Sequence, residues 1–149
     1  MFHIQRTNSS DNNFTELTAM LDYELQERNG KIQLQYNGHN KIESVDTVVV
    51  AFSDAQPVGC GCFKIYDKDT IEIKRMFVLP EFRGQGVSKI ILNELEKWAN
   101  ELDFSFAILE TGKKHIEAIG LYFHTGYSLI ENYGQYKNIA NSMCFKKNL

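Results

Sequence analysis

A chain of 149 residues with 43% hydrophobic and 23% charged residues has the size and balance of one globular domain spanning 1–149, and excludes collagen-like and disordered classes. Sixteen Lys and Arg against nineteen Asp and Glu leave a formal net charge of −3, so no general positive field exists to grip nucleic-acid phosphates and any anion site must be local. The longest aliphatic-aromatic run, Val48-Val49-Val50-Ala51-Phe52, is far below the about 18 residues of a membrane span, and the N-terminus lacks a basic-then-apolar leader pattern. The expectation is a cytoplasmic protein with no nucleic-acid and no membrane partner.

Ile4 opens a short strand, and Ser9 to Asn13 is a polar break able to start a helix. Asn13 and Glu16 have capping-box spacing, and Phe14, Leu17, Leu21 and Leu25 then form one apolar stripe, predicting a helix to Gly30. From Lys31 to Asp46, Ile32, Leu34 and Tyr36 alternate but Asn37-Gly38-His39-Asn40 interrupts them, which reads as loop with short structure. Two strand-like runs follow, Thr47 to Ser53 and Val58 to Tyr66, with Asp54-Ala55-Gln56-Pro57 as the hairpin loop. Cys60 and Cys62 would share one face of the second run. With Cys144 they make an odd set of three that fits neither a disulfide framework nor a zinc site, so the expectation is buried packing and no metal.

A third run starts after Asp67-Lys68-Asp69. In it Ile71 and Ile73 keep one phase of alternation while Met76 and Val78 keep the other, a one-residue slip that a β-bulge between Lys74 and Met76 would produce. After Pro80 comes a strong helix with Val87, Ile91, Leu95, Trp98 and Leu102 as its apolar face and Asp103 just past its end, where a left-handed residue is tolerated. Phe106 to Leu109 reads as a strand, Ile116 to Thr125 as a helix stopped by Gly126, and Leu129-Ile130 and Ser142 to Phe145 as final strands. The order is β α β β β α β α β β. Its segment from Ile71 to Leu109 is a β-α-β crossover, so the flanking strands should be parallel in an otherwise largely antiparallel sheet.

The loop Arg83-Gly84-Gln85-Gly86-Val87-Ser88 precedes that strong helix. Free backbone amides and the positive end of the helix dipole attract phosphate there, and glycines let the backbone come close. A dinucleotide GxGxxG would need glycine where Lys89 stands, and no Lys-Ser/Thr pair completes a P-loop. The pattern resembles the GNAT superfamily of acetyl-CoA-dependent acetyltransferases, whose signature is Arg or Gln, two residues, Gly, one residue, then Gly or Ala. Arg83, Gly86 and Ser88 hold those positions, Ser88 being the departure, and Val78 to Arg83 resembles the usual approach. Downstream, Glu110-Thr111-Gly112 and Glu117-Ala118-Ile119-Gly120-Leu121-Tyr122-Phe123-His124-Thr125-Gly126-Tyr127 resemble the family's second block, with His115 where many members have Asn.

The resemblance covers about Thr47 to Phe145. It implies one α/β (α+β) domain: a mixed, mostly antiparallel sheet with a central parallel β-α-β crossover and helices on both faces. It also implies direct acetyl transfer from acetyl-CoA, as cosubstrate, to a primary amine of a small molecule or peptide in a ternary complex. Carried over residue by residue, Gln85, Gly86, Val87 and Ser88 with Gly84 hold the pyrophosphate, and Arg83 adds a charge contact. The backbone of Met76, Phe77 and Val78 pairs with the pantetheine arm. Glu72 matches the general base of some members, with Glu110 a second carboxylate nearby, and Tyr122 matches the acid that protonates the leaving thiolate. The stretch Glu131 to Tyr136 could shape the acceptor pocket. A non-catalytic acetyl-CoA-binding sensor or structural module is the alternative, and a homodimer stays open.

Overall fold

Among the residues that the computed structural model describes, 1–29 and 44–149, seven strands and three α-helices follow one another in the predicted order. The interrupted alternation at Ile32, Leu34 and Tyr36 lies outside the described residues. The chain divides into two units, Met1–Lys64 with Lys74–Leu95, and Ile65–Ile73 with Glu96–Leu149.

In the first unit, β1 (Phe2–Thr7) pairs antiparallel with β2 (Val48–Ser53) from Phe2↔Ser53 to Thr7↔Val48. Next, β2 pairs antiparallel with β3 (Gln56–Ile65), with a register shift between Ala51 and Phe52. The hairpin between them is tighter than expected. Only Asp54 and Ala55 turn, Asp54 takes the left-handed φ of 52° that a two-residue turn demands, and Gln56 and Pro57 already belong to β3.

Helix α1 (Asn12–Asn29) is capped two residues earlier than the capping-box spacing implied. The Asp11 carboxylate, not the Asn13 side chain, accepts the Asn13 N–H at 2.8 Å, and the Asp11 carbonyl accepts from Thr15 N. Asp11 also accepts from the Thr7 hydroxyl at 2.9 Å, so the end of β1 fixes where the helix starts; such a cap contributes about 1 kcal/mol. Phe14, Leu17 and Leu21 of α1 are buried against Val48, Val50, Cys60, Cys62 and Phe77, with Leu25 at the margin. The cysteines are free and buried, as expected of packing residues.

The neighbouring positions on β3 face the other way. A Cβ on Gly61 would sit 3.0 Å from Ile91 and 3.1 Å from Leu95 of helix α2 (Val87–Glu101), and 2.5 Å from Met76 Sδ, so only glycine admits this close approach. Alternation therefore puts α1 and the first turns of α2 on opposite faces of β3.

Strand β4 (Thr70–Val78) contributes to both units. Arg75 takes φ 61° inside it, at the point where the apolar phase slips.

In the second unit, β4 runs parallel to β5 (Phe106–Gly112) through Thr70↔Phe106, Ile71↔Ala107 and Glu72↔Ile108, which is the expected crossover. Antiparallel β7 (Ser142–Asn148) pairs with β5 from Phe106↔Asn148 to Gly112↔Ser142 and with β6 (Ser128–Ile130) on its other side. β5 and β7 each run three residues beyond the apolar stretch that announced them, because paired central strands need no alternation to continue.

The apolar face of α2 ends with Ala99, fully buried, rather than Leu102, which is 50% exposed because the helix stops at Glu101 and Asp103 turns the chain at φ 70°. Helix α3 (Ile116–His124) stops before Gly126 at φ 97°. The strand order is β1-β2-β3-β4-β5-β7-β6, a mixed and mostly antiparallel sheet. Among the described residues no helix is long and apolar enough to cross a membrane.

Candidate functional site

The glycine loop belongs to the first unit. A single 3₁₀ turn, Pro80–Phe82, leads from β4 into residues 83–86, all exposed, and Val87 then plunges into the core at 2% exposure. Gly84 and Gly86 have φ of 78° and 85°, and a Cβ built on either meets nothing within 4 Å. Both glycines are there for backbone conformation, and the space beside them is open. The Gly86 carbonyl accepts from Ile90 N at 3.1 Å, which makes Gly86 the N-cap and leaves the first-turn amides of α2 without partners inside the helix. Converging amides, a positive dipole end and an open approach form a donor set that fits a pyrophosphate.

Arg83 is placed differently from a solvated phosphate contact. Its Nε donates to the Val78 carbonyl at 2.8 Å, its Nη2 meets Glu24 of α1 at 2.6 Å, and its guanidinium lies 5.5 Å from the Phe77 ring centroid. It braces the loop on β4 and α1. On β4 the Phe77 carbonyl faces Gly59, and Leu79 N donates to Val58 O at 2.8 Å, so both point at β3. Alternation turns the peptide groups of Met76 and Val78 to the opposite edge, where an extended amide-bearing arm can pair with a strand.

The second unit carries the titratable side chains. Register and alternation put Glu72, Ile108, Glu110, Cys144 and Ser142 on one face. Glu72 is 3% exposed, and its Oε2 accepts from the Tyr133 hydroxyl at 2.6 Å. The Glu110 carboxylate accepts from Ser142 Oγ at 2.8 Å. Burial, then repulsion from Glu110 and Glu72, pushes the Cys144 thiol up to about 11 against one lowering contact, a backbone hydrogen bond from Tyr133, so it is inert at neutral pH.

Tyr122 is the one buried residue of α3, its ring 5.7 Å from that of Tyr127 and 5.8 Å from that of Phe145. Burial first, and the negative charge of Glu110 second, hold its phenol protonated well above the ordinary range. His124 is exposed, with Nδ1 2.7 Å from the Gly120 carbonyl.

Tyr133 is the partner that sequence reasoning missed. Its stretch had been singled out only as a pocket wall, and a contact spanning 61 residues leaves no local signal.

Comparison with known proteins gives the family. The chain matches the family described as Acetyltransferase (GNAT) family over residues 9–127. It is 32% identical over 102 residues to an IAA acetyltransferase of Azospirillum brasilense, covering 68% of this chain and 67% of that one. A solved acyl-CoA N-acyltransferase structure from Klebsiella pneumoniae superposes with a TM-score of 0.83 at 29% identity, covering 100% of this chain and 98% of the other. A GNAT acetyltransferase of Elizabethkingia anophelis, solved with acetyl-CoA bound, shares the fold at a TM-score of 0.69 and 16% identity, with 99% and 98% covered. The chain belongs to the GNAT acetyltransferase family, whose members are acyltransferases that use acetyl-CoA as cosubstrate.

Proposed function

We propose that this protein transfers an acetyl group from acetyl-CoA directly to a primary amine, both substrates being bound together. The observation that carries the reading is Tyr122: a buried phenol, packed between Tyr127 and Phe145 and kept protonated by burial and by the charge of Glu110. Such a group is a proton donor waiting for an anion.

The amides of Gln85, Gly86, Val87 and Ser88 at the start of α2, with Gly84 shaping the turn, hold the pyrophosphate, and Arg83 keeps that loop on β4. The strand edge presented by Met76 and Val78, on either side of Phe77, takes the pantetheine arm. An alkylammonium releases its proton only near pH 10, so Glu72, directly or through water, accepts that proton before attack. The amine nitrogen then bonds to the thioester carbonyl carbon and loses its second proton to water, the carbon–sulfur bond breaks as Tyr122 gives its proton to the sulfur, and water reprotonates the phenolate. A phenol near 10 donating to a thiolate near 8.5 is slightly uphill in water, but burial disfavours the two anions alike and a hydroxyl held at the sulfur meets charge as it forms. Three free, buried cysteines fit a reducing compartment, and we place the chain in the cytoplasm.

A panel of amines with acetyl-CoA and mass detection of the product tests the activity, and Tyr122→Phe tests the acid. The expected result is an acetylated amine, and a kcat about 10² to 10⁴-fold lower in the variant with acetyl-CoA affinity kept. A Phe variant as fast as the wild type removes Tyr122 from the chemistry. Tight CoA binding with no product from any amine favours a sensor module.

A further inference from the structure

Glu72 closes a short parallel pairing with β5, where the backbone is fixed but a glutamate side chain still has three torsions to lose. Something must hold its carboxylate in place if it is to meet a substrate. The Tyr133 hydroxyl donates to Glu72 Oε2 at 2.6 Å, the length of a charge-assisted bond. The donor itself is rigidly presented. Its ring stands edge-on to Tyr66 at 5.4 Å and to Tyr136 at 5.6 Å, and Tyr136 is 1% exposed. The turn is closed by Tyr136 N donating to the Tyr133 carbonyl at 2.9 Å, and by Asn132 Nδ2 donating to the carbonyls of Tyr136 and Ile139, both at 3.2 Å. Burial, and then the Glu72 charge, keep the Tyr133 phenol protonated, so it stays a donor wherever the carboxylate is ionised.

We propose that Tyr133 is a positioning residue for acetyl transfer: it fixes the rotamer of the Glu72 carboxylate, so that the remaining lone pairs face the ammonium of the acceptor. This rests on Glu72 being the base. An ionised carboxylate has about four acceptor sites, and the bond from Tyr133 occupies one of them while removing the freedom to swing away. The loop between β6 and β7 thereby sets the geometry of a residue on β4.

The test is a double-mutant cycle on the intact enzyme with its best amine, using Tyr133→Phe, Glu72→Gln and the pair. Tyr133→Phe keeps both ring contacts and removes one hydroxyl. Its kcat should fall about 10- to 100-fold, the usual size of a lost hydrogen bond to a charged group, while the KM for acetyl-CoA holds. In the Glu72→Gln background, adding Tyr133→Phe should cost almost nothing more, because the carboxylate it positions is gone. A wild-type rate in Tyr133→Phe overturns the proposal. An equal loss in both backgrounds also overturns it, since Tyr133 would then act on the substrate itself. A fully active Glu72→Gln single variant sinks the assignment of the base, and the positioning role with it, and that result is visible before Tyr133 is changed.

Discussion

At Gly86 a single φ decides what the loop can be. An L side chain at φ 85° costs about 1 to 2 kcal/mol per residue, whereas the space around the absent Cβ is open. Gly86→Val is therefore strained by its backbone rather than by a clash, and it also places a side chain where a phosphate would come. Wild-type protein at 100 times the CoA dissociation constant should gain about 2.7 kcal/mol of stability. The variant should lose that gain and keep its apo fold, which a thermal-shift titration with CoA reads directly; an undiminished shift would take the loop out of the site. That the loop needs glycine was legible from its place before a strong helix. The occupation of Arg83 was not, because its partners, Val78 O and Glu24, are set by chain geometry. Tyr133 was hidden for the same reason. Propensity and motif describe what a residue is, and hydrogen bonds across 61 residues depend on where the fold puts it.

Elements were more legible than their ends. The stripe Phe14, Leu17, Leu21 is the buried face of α1, yet the cap is Asp11, because three polar residues in a row offer several starts and the Thr7 contact selects one. The slip of phase in β4 was legible as a bulge, and the structure gives its cause at Arg75. The side chain is 8% exposed, its Nη2 lies 2.8 Å from Asp22 and 3.0 Å from the Thr18 carbonyl of α1, and its own carbonyl receives the Cys60 thiol at 3.5 Å. Helix α1 thus holds the backbone of β4 at Arg75 and, through Glu24 and Arg83, the loop beyond it, on either side of Met76, Phe77 and Val78. Left-handed backbone at a residue with a Cβ is strained, so the tethers offset a local cost. Arg75→Ala loses the tethers and keeps the strain, while Arg75→Gly loses the tethers and relieves it. The glycine variant should be the more stable by roughly 1 kcal/mol, the reverse of the usual order inside a strand. Denaturant unfolding of the two variants measures it, and alanine proving better would mean the bulge carries no strain.

On the scale of the whole molecule, the strand and helix order followed from periodicity and turn residues alone, while the tyrosine network of the second unit did not, since an aromatic in sequence could as well be core or surface. Four phenols, those of Tyr122, Tyr127, Tyr133 and Tyr136, are pushed above the ordinary range, burial leading in each case and a carboxylate adding to it: Glu110 for Tyr122, Glu96 for Tyr127, Glu72 for Tyr133, and both Glu110 and Glu72 for Tyr136. Burial also raises the Cys60 and Cys144 thiols. A group with a raised folded value binds its proton more tightly in the native state, so its contribution is complete below the unfolded value and is lost as pH climbs past it. The thiols therefore begin to weaken the fold above about pH 8.5 and the phenols above about pH 10. Four native phenols still protonated while their unfolded counterparts ionise give a limiting slope of about 5 kcal/mol per pH unit. Urea unfolding between pH 8 and pH 11 should show stability falling gently at first and steeply beyond pH 10. The Tyr133→Phe variant should lose roughly a quarter of the phenols' share of the steep slope, one phenol proton in four having gone. A flat profile to pH 11, or ultraviolet titration of the native protein showing every tyrosine ionising near 10, would mean that water reaches these phenols and that the Tyr122 hydroxyl has no protected proton to give.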